Sequence, residues 1–273
     1  MQALKVFITG ASSGIGQALA QEYARQGAVL GLVARREEAL RDLAASLPNP
    51  RAAYLYPADV CDADAMQAAA QRFIAEVGVP DIVIANAGIS VGTLASERED
   101  IHAFRQVMDT NWYGVLTTFH PFIAPMSAAA HGPVRPTLVG IASVAGVRGL
   151  PGAGAYSASK SAVIKLLESL RLELHAKGIR VVTIAPGYIR TPMTAHNPYP
   201  MPFLMDADRF AQRAARVIAR GRRFRVIPWQ MGVVAGLLHC MPRWLYDRLF
   251  RNAPRKPRAA DTPHSPDSPD AAT

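Results

Sequence analysis

Cysteine is nearly absent: Cys61 and Cys240 stand far apart, in no CxxC pairing and with no histidine cluster beside them. A disulfide scaffold and a zinc module are therefore not expected. Long hydrophobic runs are missing too, since no stretch reaches the roughly 18 to 20 apolar residues that a membrane-spanning helix needs. The opening, Met1 to Gly10, holds too short an apolar run for a signal peptide, with no small-residue cleavage site behind it. The cytosol is the expected location. Basic residues far outnumber acidic ones in one segment. Residues 201–258 hold 13 basic side chains against 3 acidic ones, whereas residues 1–200 hold 17 against 15. The net charge of +9 thus belongs to one segment. Such a patch suits nucleic acid, an anionic membrane surface or an acidic substrate.

What is present is a chain half apolar and 273 residues long, enough for a sizeable core and too apolar to be disordered throughout. Short β-branched runs fall at Lys5 to Thr9, Val29 to Ala34, Ala53 to Pro57, Ile82 to Ala85, Thr137 to Ala142 and Arg180 to Ala185. Helical patterns lie between them, near 15–27, 37–47, 64–77, 98–130 and 156–177. Asp206 to Arg220 reads as another helix and Phe224 to Ile227 as a seventh strand. Apolar strands alternating with helices predict a doubly wound α/β fold, a parallel sheet of about seven strands with helices on both faces. A single domain over 1–252 is expected. From Ala253 the composition turns to Pro, Ser, Ala, Thr and Asp, which predicts a disordered tail over 253–273.

Right after the first strand comes Gly10-Ala11-Ser12-Ser13-Gly14-Ile15-Gly16, opening a helix. Glycines at such a turn let the backbone and the positive end of the helix dipole meet a pyrophosphate. The spacing is G-x-x-x-G-x-G rather than G-x-G-x-x-G, so a turn that merely packs helix on strand is the competing reading. The second strand ends Ala34-Arg35-Arg36, where an acid would hold the ribose 2′-hydroxyl of NAD. Two guanidinium groups and no acid favour a 2′-phosphate, and so NADP(H), over a merely solvated helix start.

Tyr156-Ser157-Ala158-Ser159-Lys160 opens a long helix, and residues four apart share a face, so Tyr156 and Lys160 point the same way. A phenol near an ammonium is expected to ionise more readily and to serve as a general acid or base. Ser143 closes the fifth strand, on the side where such sheets bind ligands. Tyr-x-x-x-Lys alone is common, and an ordinary surface pair would explain it equally well.

Together these residues resemble the short-chain dehydrogenase/reductase family, through Thr9 to Gly16, Asn86-Ala87-Gly88, Ser143, Tyr156 to Lys160 and Pro186-Gly187-Tyr188-Ile189-Arg190-Thr191, in the family's order over about residues 5–195. The resemblance implies a Rossmann fold and hydride transfer between a nicotinamide and a carbonyl or alcohol carbon. By the same resemblance Ser143 positions the substrate carbonyl, and Tyr156 exchanges the proton. Lys160 binds the nicotinamide ribose and lowers the tyrosine pKa, while Asn111 holds a helix distortion and a water. Gly10, Ser12, Ser13, Gly14, Ile15 and Gly16 form the pyrophosphate loop, and Asp59 with Val60 contacts the adenine. Asn86, Ala87 and Gly88 lie beside the adenosine ribose, and Pro186, Gly187, Ile189 and Thr191 form the lip over the carboxamide. It also implies a homo-oligomer, dimer or tetramer, and no bound metal.

After Thr191 the resemblance guides less closely. Residues 192–205, rich in Pro, Met and aromatics, fall where the family carries a mobile lid, and their apolar content suggests a hydrophobic substrate; His196 reads as a polar lid residue. Arg209, Arg213, Arg216 and Arg220 form a helical basic stripe, with a solvated face as the plain explanation. Val226 to Phe250 sets Trp229, Trp244 and several leucines between arginines, a pattern that suits an anionic membrane interface, a subunit interface or a pocket wall. No recognised nucleic-acid module accompanies the charge. The expected function is NADP(H)-dependent reduction of a hydrophobic ketone, acyl-chain or lipid-like. An NAD-dependent alcohol or hydroxysteroid-type dehydrogenase and a non-catalytic NAD(P)-binding regulator are the alternatives.

Overall fold

A computed structural model describes residues 3–132, 134–195, 197 and 199–258. Seven strands form one sheet, all parallel, with β1 (Lys5–Thr9), β2 (Val29–Ala34), β3 (Ala53–Pro57), β4 (Ile82–Ala85), β5 (Thr137–Ile141) and β6 (Arg180–Pro186) in it. β7 (Ile189–Arg190) and β8 (Met205–Asp206) form a separate two-residue parallel pair, and β9 (Phe224–Ile227) is the seventh strand of the main sheet. The main order is β3-β2-β1-β4-β5-β6-β9. The order reverses between β1 and β4, which opens a crevice at the carboxyl ends of the strands.

The helices explain why nearly every strand residue is apolar. α1 (Gly14–Arg25) and α2 (Glu37–Ser46) cover one face, and α3 (Ala63–Glu76) the other. α4 (Asp100–Met108) leads through a π-turn (Asp109–Tyr113) into α5 (Gly114–Ala128), followed by α6 (Gly154–Glu173). After a single turn, α7 (Pro192–Ala195), come α8 (Ala207–Ala219), α9 (Trp229–Cys240) and α10 (Arg243–Phe250). Alternation along β1 sends Val6 and Ile8 to the core shared with Leu19 of α1 and Phe210 of α8. Phe7 points the other way, into a ring cluster with Phe73 of α3 and Phe122 of α5, at 5.3 and 4.8 Å between centroids. Each strand thus feeds two cores, and neither sheet face is left to water.

The helix expected over 98–130 runs over 100–128, and the distortion expected at Asn111 is a π-turn at 109–113 around that buried side chain. One expectation needs correcting. Residues 253–258, expected to begin an unstructured tail, are placed against the body. Arg258 donates to the buried carboxylate of Asp100 at 2.9 Å and to Glu99, also at 2.9 Å. A charge partner in the fold outweighs the tail-like composition. Residues 259–273 lie outside the described residues, as does His196.

Candidate active site

The turn after β1 is braced by the end of β4. Asn86 donates through Nδ2 to the carbonyls of Thr9 and Gly10, both at 3.1 Å, and Thr9 Oγ1 accepts from the N–H of Asn86 at 3.2 Å. Gly10 has φ +65°, a conformation that disfavours side chains, and a Cβ on Gly16 would lie 2.0 Å from the Gly10 carbonyl oxygen. These glycines let the helix start pack onto the strand end. Ser13 stands at the N-cap of α1 without using its side chain, and the first turn holds no acidic residue. The amides and the positive dipole end there fit an anion such as a pyrophosphate. Asn86 and Gly10 therefore have a clear packing role beside any ligand role, as does Ala87, whose Cα would lie 2.7 Å from a Cβ on Gly10.

At the end of β2 the Arg35 guanidinium is exposed and stands 3.9 Å from the Asp59 carboxylate beyond β3. Arg36 occupies the N-cap position of α2. The second oxygen of Asp59 accepts from the N–H of Cys61 at 2.9 Å. The side chain of Val60 is buried in the core, and its carbonyl accepts from Thr117 Oγ1 of α5 at 2.6 Å.

The four candidate catalytic residues are brought together around the ends of β4 and β5. Asn111 is fully buried. Its Oδ1 accepts from the N–H of Ile89 at 2.8 Å, while Nδ2 donates to the Ile89 carbonyl at 3.0 Å and to Ser159 Oγ at 2.9 Å. It thus ties the loop after β4 to the helix carrying Tyr156. Asn111 Oδ1 and Lys160 Nζ both lie beside Gly88, 3.0 and 3.4 Å from where its Cβ would be. Lys160 is buried, gives a hydrogen bond to the Ile141 carbonyl at 3.0 Å, and lies 5.9 Å from the centre of the Tyr156 ring. Ser143 Oγ accepts from the N–H of Ala145 at 3.1 Å and is hydrogen-bonded to Tyr156.

The electrostatics differ from expectation in one respect. Burial pushes the Tyr156 phenol above its ordinary value of 10.0, with the Ser143 hydrogen bond working against it. Lys160, expected to lower the phenol, directs its proton to a main-chain carbonyl instead, and burial lowers its own pKa to about 8. Desolvation disfavours both charged forms, and here it outweighs their mutual attraction. A hydroxyl pair at Ser143 and Tyr156, backed by a buried amine, can hold a carbonyl oxygen from two sides and exchange a proton with it.

Ile189 is buried, with its carbonyl accepting from Thr194 Oγ1 at 2.7 Å. Pro186 ends β6 in register with Ile227. A Cβ on Gly187 would come within 2.6 Å of Met231 Cγ, so this glycine admits α9 to the cleft wall. Thr191 is close to the phosphate-binding turn, its Cβ 3.2 Å from a Cβ placed on Gly14. The chain that follows is fastened where it returns by the β7–β8 pair and by Arg190 donating to Asp206 at 2.9 Å.

Several contributors were missed from sequence. Tyr188 and Tyr199 face each other with centroids 6.4 Å apart, and burial raises the pKa of both phenols. Arg148, after Ser143, donates to the carbonyls of Leu238 and Met241 and lies 4.9 Å from the Tyr246 ring centre. Tyr246 in turn donates to the Gly149 carbonyl at 2.6 Å. Lys256 donates to Ser90 Oγ at 2.8 Å, with the chain at 256–257 running directly against Gly92. The C-terminal residues thus strap the loops after β4 and β5. An aromatic lid residue such as Tyr199 gave some sequence signal; a lone lysine at 256 gave none.

The family model for short chain dehydrogenase matches residues 4–200. An uncharacterised oxidoreductase of Myxococcus xanthus is 37% identical over 249 residues, covering 89% of this chain and 95% of that protein. A 3-oxoacyl-[acyl-carrier-protein] reductase of Chlamydia muridarum is 35% identical over 189 residues, covering 68% and 74%. Among solved structures, a 3-ketoacyl-(acyl-carrier-protein) reductase of Brucella melitensis, complexed with NADH, superposes with a TM-score of 0.74 at 26% identity, covering 82% of this chain and 95% of that one.

Proposed function

Because the chain belongs to the short-chain dehydrogenase/reductase family, oxidoreductases acting on CH–OH and C=O groups, we propose that it reduces a hydrophobic ketone, acyl-chain or lipid-like, with NADP(H). The observation that carries this is the joint placement of Ser143, Tyr156, Lys160 and Asn111 at the crevice, within one hydrogen-bonded neighbourhood. When bound, the nicotinamide supplies the hydride. The open start of α1 and the turn at 10–16 hold the pyrophosphate. Ser143 and Tyr156 hold the substrate oxygen, and Tyr156 gives up its phenolic proton there. Lys160, buried and cationic at neutral pH, is the residue assigned to the nicotinamide ribose. Asn111 keeps the helix with Tyr156 in register with the loop after β4.

Arg35 is the residue assigned to a 2′-phosphate, since its guanidinium is exposed at the end of β2. Two observations favour an NAD-dependent second reading: the Asp59 carboxylate 3.9 Å from Arg35, and the NADH held by the Brucella relative. The substrate class rests on the apolar content of residues 192–205, on the Tyr188–Tyr199 ring pair, and on the acyl reductases among the relatives. Work in the cytosol as a homo-oligomer belongs to the same proposal.

Tyr156→Phe tests it. Turnover, followed by NADPH absorbance on a panel of ketones graded by chain length, should fall by about 10²- to 10⁴-fold, the range for a lost general acid. Cofactor binding should persist. Substantial residual reductase activity would end the assignment of Tyr156, and preference for small polar ketones would end the lipid-like reading.

A further inference from the structure

We propose that α9 and α10 form a docking face for an anionic phospholipid bilayer, lying in its plane beside the mouth of the cleft. This deepens the lipid-like substrate reading and rests on it only for the purpose of docking, not for the docking itself. Helix α9 carries no Asp, Glu, Lys or Arg. Its residues Trp229, Val233 and Leu237 recur every four positions and share a face, at 68%, 53% and 67% exposed. Met231 and Ala235 are the buried side of the same helix. On α10, Trp244 is 69% exposed, and Arg248 and Arg251 follow it at i+4 and i+7, both exposed. Tryptophan and arginine side by side are what an interfacial helix presents, the ring among the headgroups and the guanidinium at the phosphates.

The charge identifies the occupant. From Trp229 through Arg251 the basic residues are Arg243, Arg248 and Arg251, against one acidic residue, Asp247. Among the described residues no ion pair engages Arg243, Arg248 or Arg251. A second copy docked by two-fold symmetry would set arginine against arginine, because such a contact places one patch on itself. An anionic lipid surface meets the same patch with opposite charge. Among the described residues no helix is long and apolar enough to cross a membrane, and the 12 residues of α9 span only about 18 Å. Contact along the plane is the geometry that remains. The opposite side of this unit is fastened to the cleft: Met231 packs on Gly187, and Arg148 and Gly149 bond to 238, 241 and Tyr246. A docked enzyme therefore presents its substrate entrance at the headgroup level.

The test is co-sedimentation of the full chain with phosphatidylcholine vesicles and with vesicles containing phosphatidylglycerol, together with tryptophan emission. The wild type should pellet with the anionic vesicles alone, with blue-shifted emission, and salt should weaken binding. The exposed-face variant Trp229→Ser/Leu237→Ser, and separately Arg248→Glu/Arg251→Glu, should each lose about tenfold or more in partitioning while keeping native circular dichroism. Should the apolar pair fail to fold, the arginine pair still decides the matter. No pelleting by the wild type, or equal binding by either folded variant, would overturn the proposal. So would a concentration-dependent dimer abolished by Trp229→Ser/Leu237→Ser without vesicle binding. Because the readout needs no turnover, it fails independently of the reductase assignment.

Discussion

Lys160→Met should make the protein more stable while removing its activity. The ammonium is 5% exposed, and burial lowers its pKa from 10.5 to about 8. At about 1.4 kcal/mol per pKa unit, a drop of about 2.5 units means that the charged side chain destabilises the folded state by roughly 3 kcal/mol at neutral pH. Methionine fills similar volume without charge. The variant loses one hydrogen bond from a charged donor to the Ile141 carbonyl, worth about 1.5 to 3 kcal/mol, and leaves that carbonyl to find another partner. The net gain is then on the order of 1 kcal/mol, or about 2 to 4 °C in midpoint for a domain of this size. The pH dependence is the sharper test. Below pH 8 both states of the wild type hold the proton and the penalty is complete. Between about 8 and 10.5 the unfolded chain binds more protons than the folded one, so this group's contribution to wild-type stability rises with pH. The advantage of the variant should therefore shrink by about 1.4 kcal/mol for each pH unit above 8. Lys256 also titrates near 8, but it is common to both proteins and cancels. Thermal unfolding of both proteins at pH 7 and 9.5, without cofactor, measures the difference. A variant whose stability relative to wild type does not fall with pH would refute the burial argument.

Arg35→Ala should weaken NADPH by about 10- to 100-fold, the value of a charge-assisted contact, and NADH far less; equal losses in fluorescence titrations would remove the 2′-phosphate assignment. Arg258→Ala should free the C-terminal strap, seen as faster proteolysis within residues 251–258 and a raised KM with little change in kcat; unchanged proteolysis would show that the Asp100 pair does not hold the segment. Because Arg258 lowers the Asp100 pKa, the stability from this pair is present above the ordinary carboxylate value and is lost as pH falls through the lowered one, so the two proteins should converge in acid. Asn111→Ala leaves Ile89 and Ser159 without their shared partner and should reduce kcat by at least tenfold with folding retained; normal turnover would leave Asn111 as packing alone.

The seven sheet strands were readable because each is a short, nearly continuous apolar run, the signature of a strand covered on both faces. The chemistry was readable because Tyr156 and Lys160 share a helix face by spacing alone. The π-turn at 109–113 was visible only through the resemblance, as the distortion assigned to Asn111, since its one extra residue leaves the apolar pattern on either side intact. The β7–β8 pair is two residues long, too short for any period. The C-terminal strap was hidden for another reason: Arg258 finds Asp100 across 158 positions, and its own neighbourhood reads as a tail. The direction of the Tyr156 shift depends on how much burial surrounds a phenol, and side-chain spacing does not carry that quantity.

The widened turn also fixes where this chain can change length. Helices α4 and α5 are each anchored, Val107 in the interior on one side and Phe119 and Phe122 on the other. Deleting one residue between 109 and 113 would restore an ordinary helix, but each residue contributes about 100° of rotation. Either α5 would turn its phenylalanines out of the ring cluster, or Asn111 would swing away from Ile89 and Ser159. The π-turn acts as a phase adjuster between two helices whose faces are set by separate partners. Insertions and deletions should accordingly be tolerated between the end of α5 and the start of β5, at the amino ends of the strands away from the crevice, and rejected within these five positions.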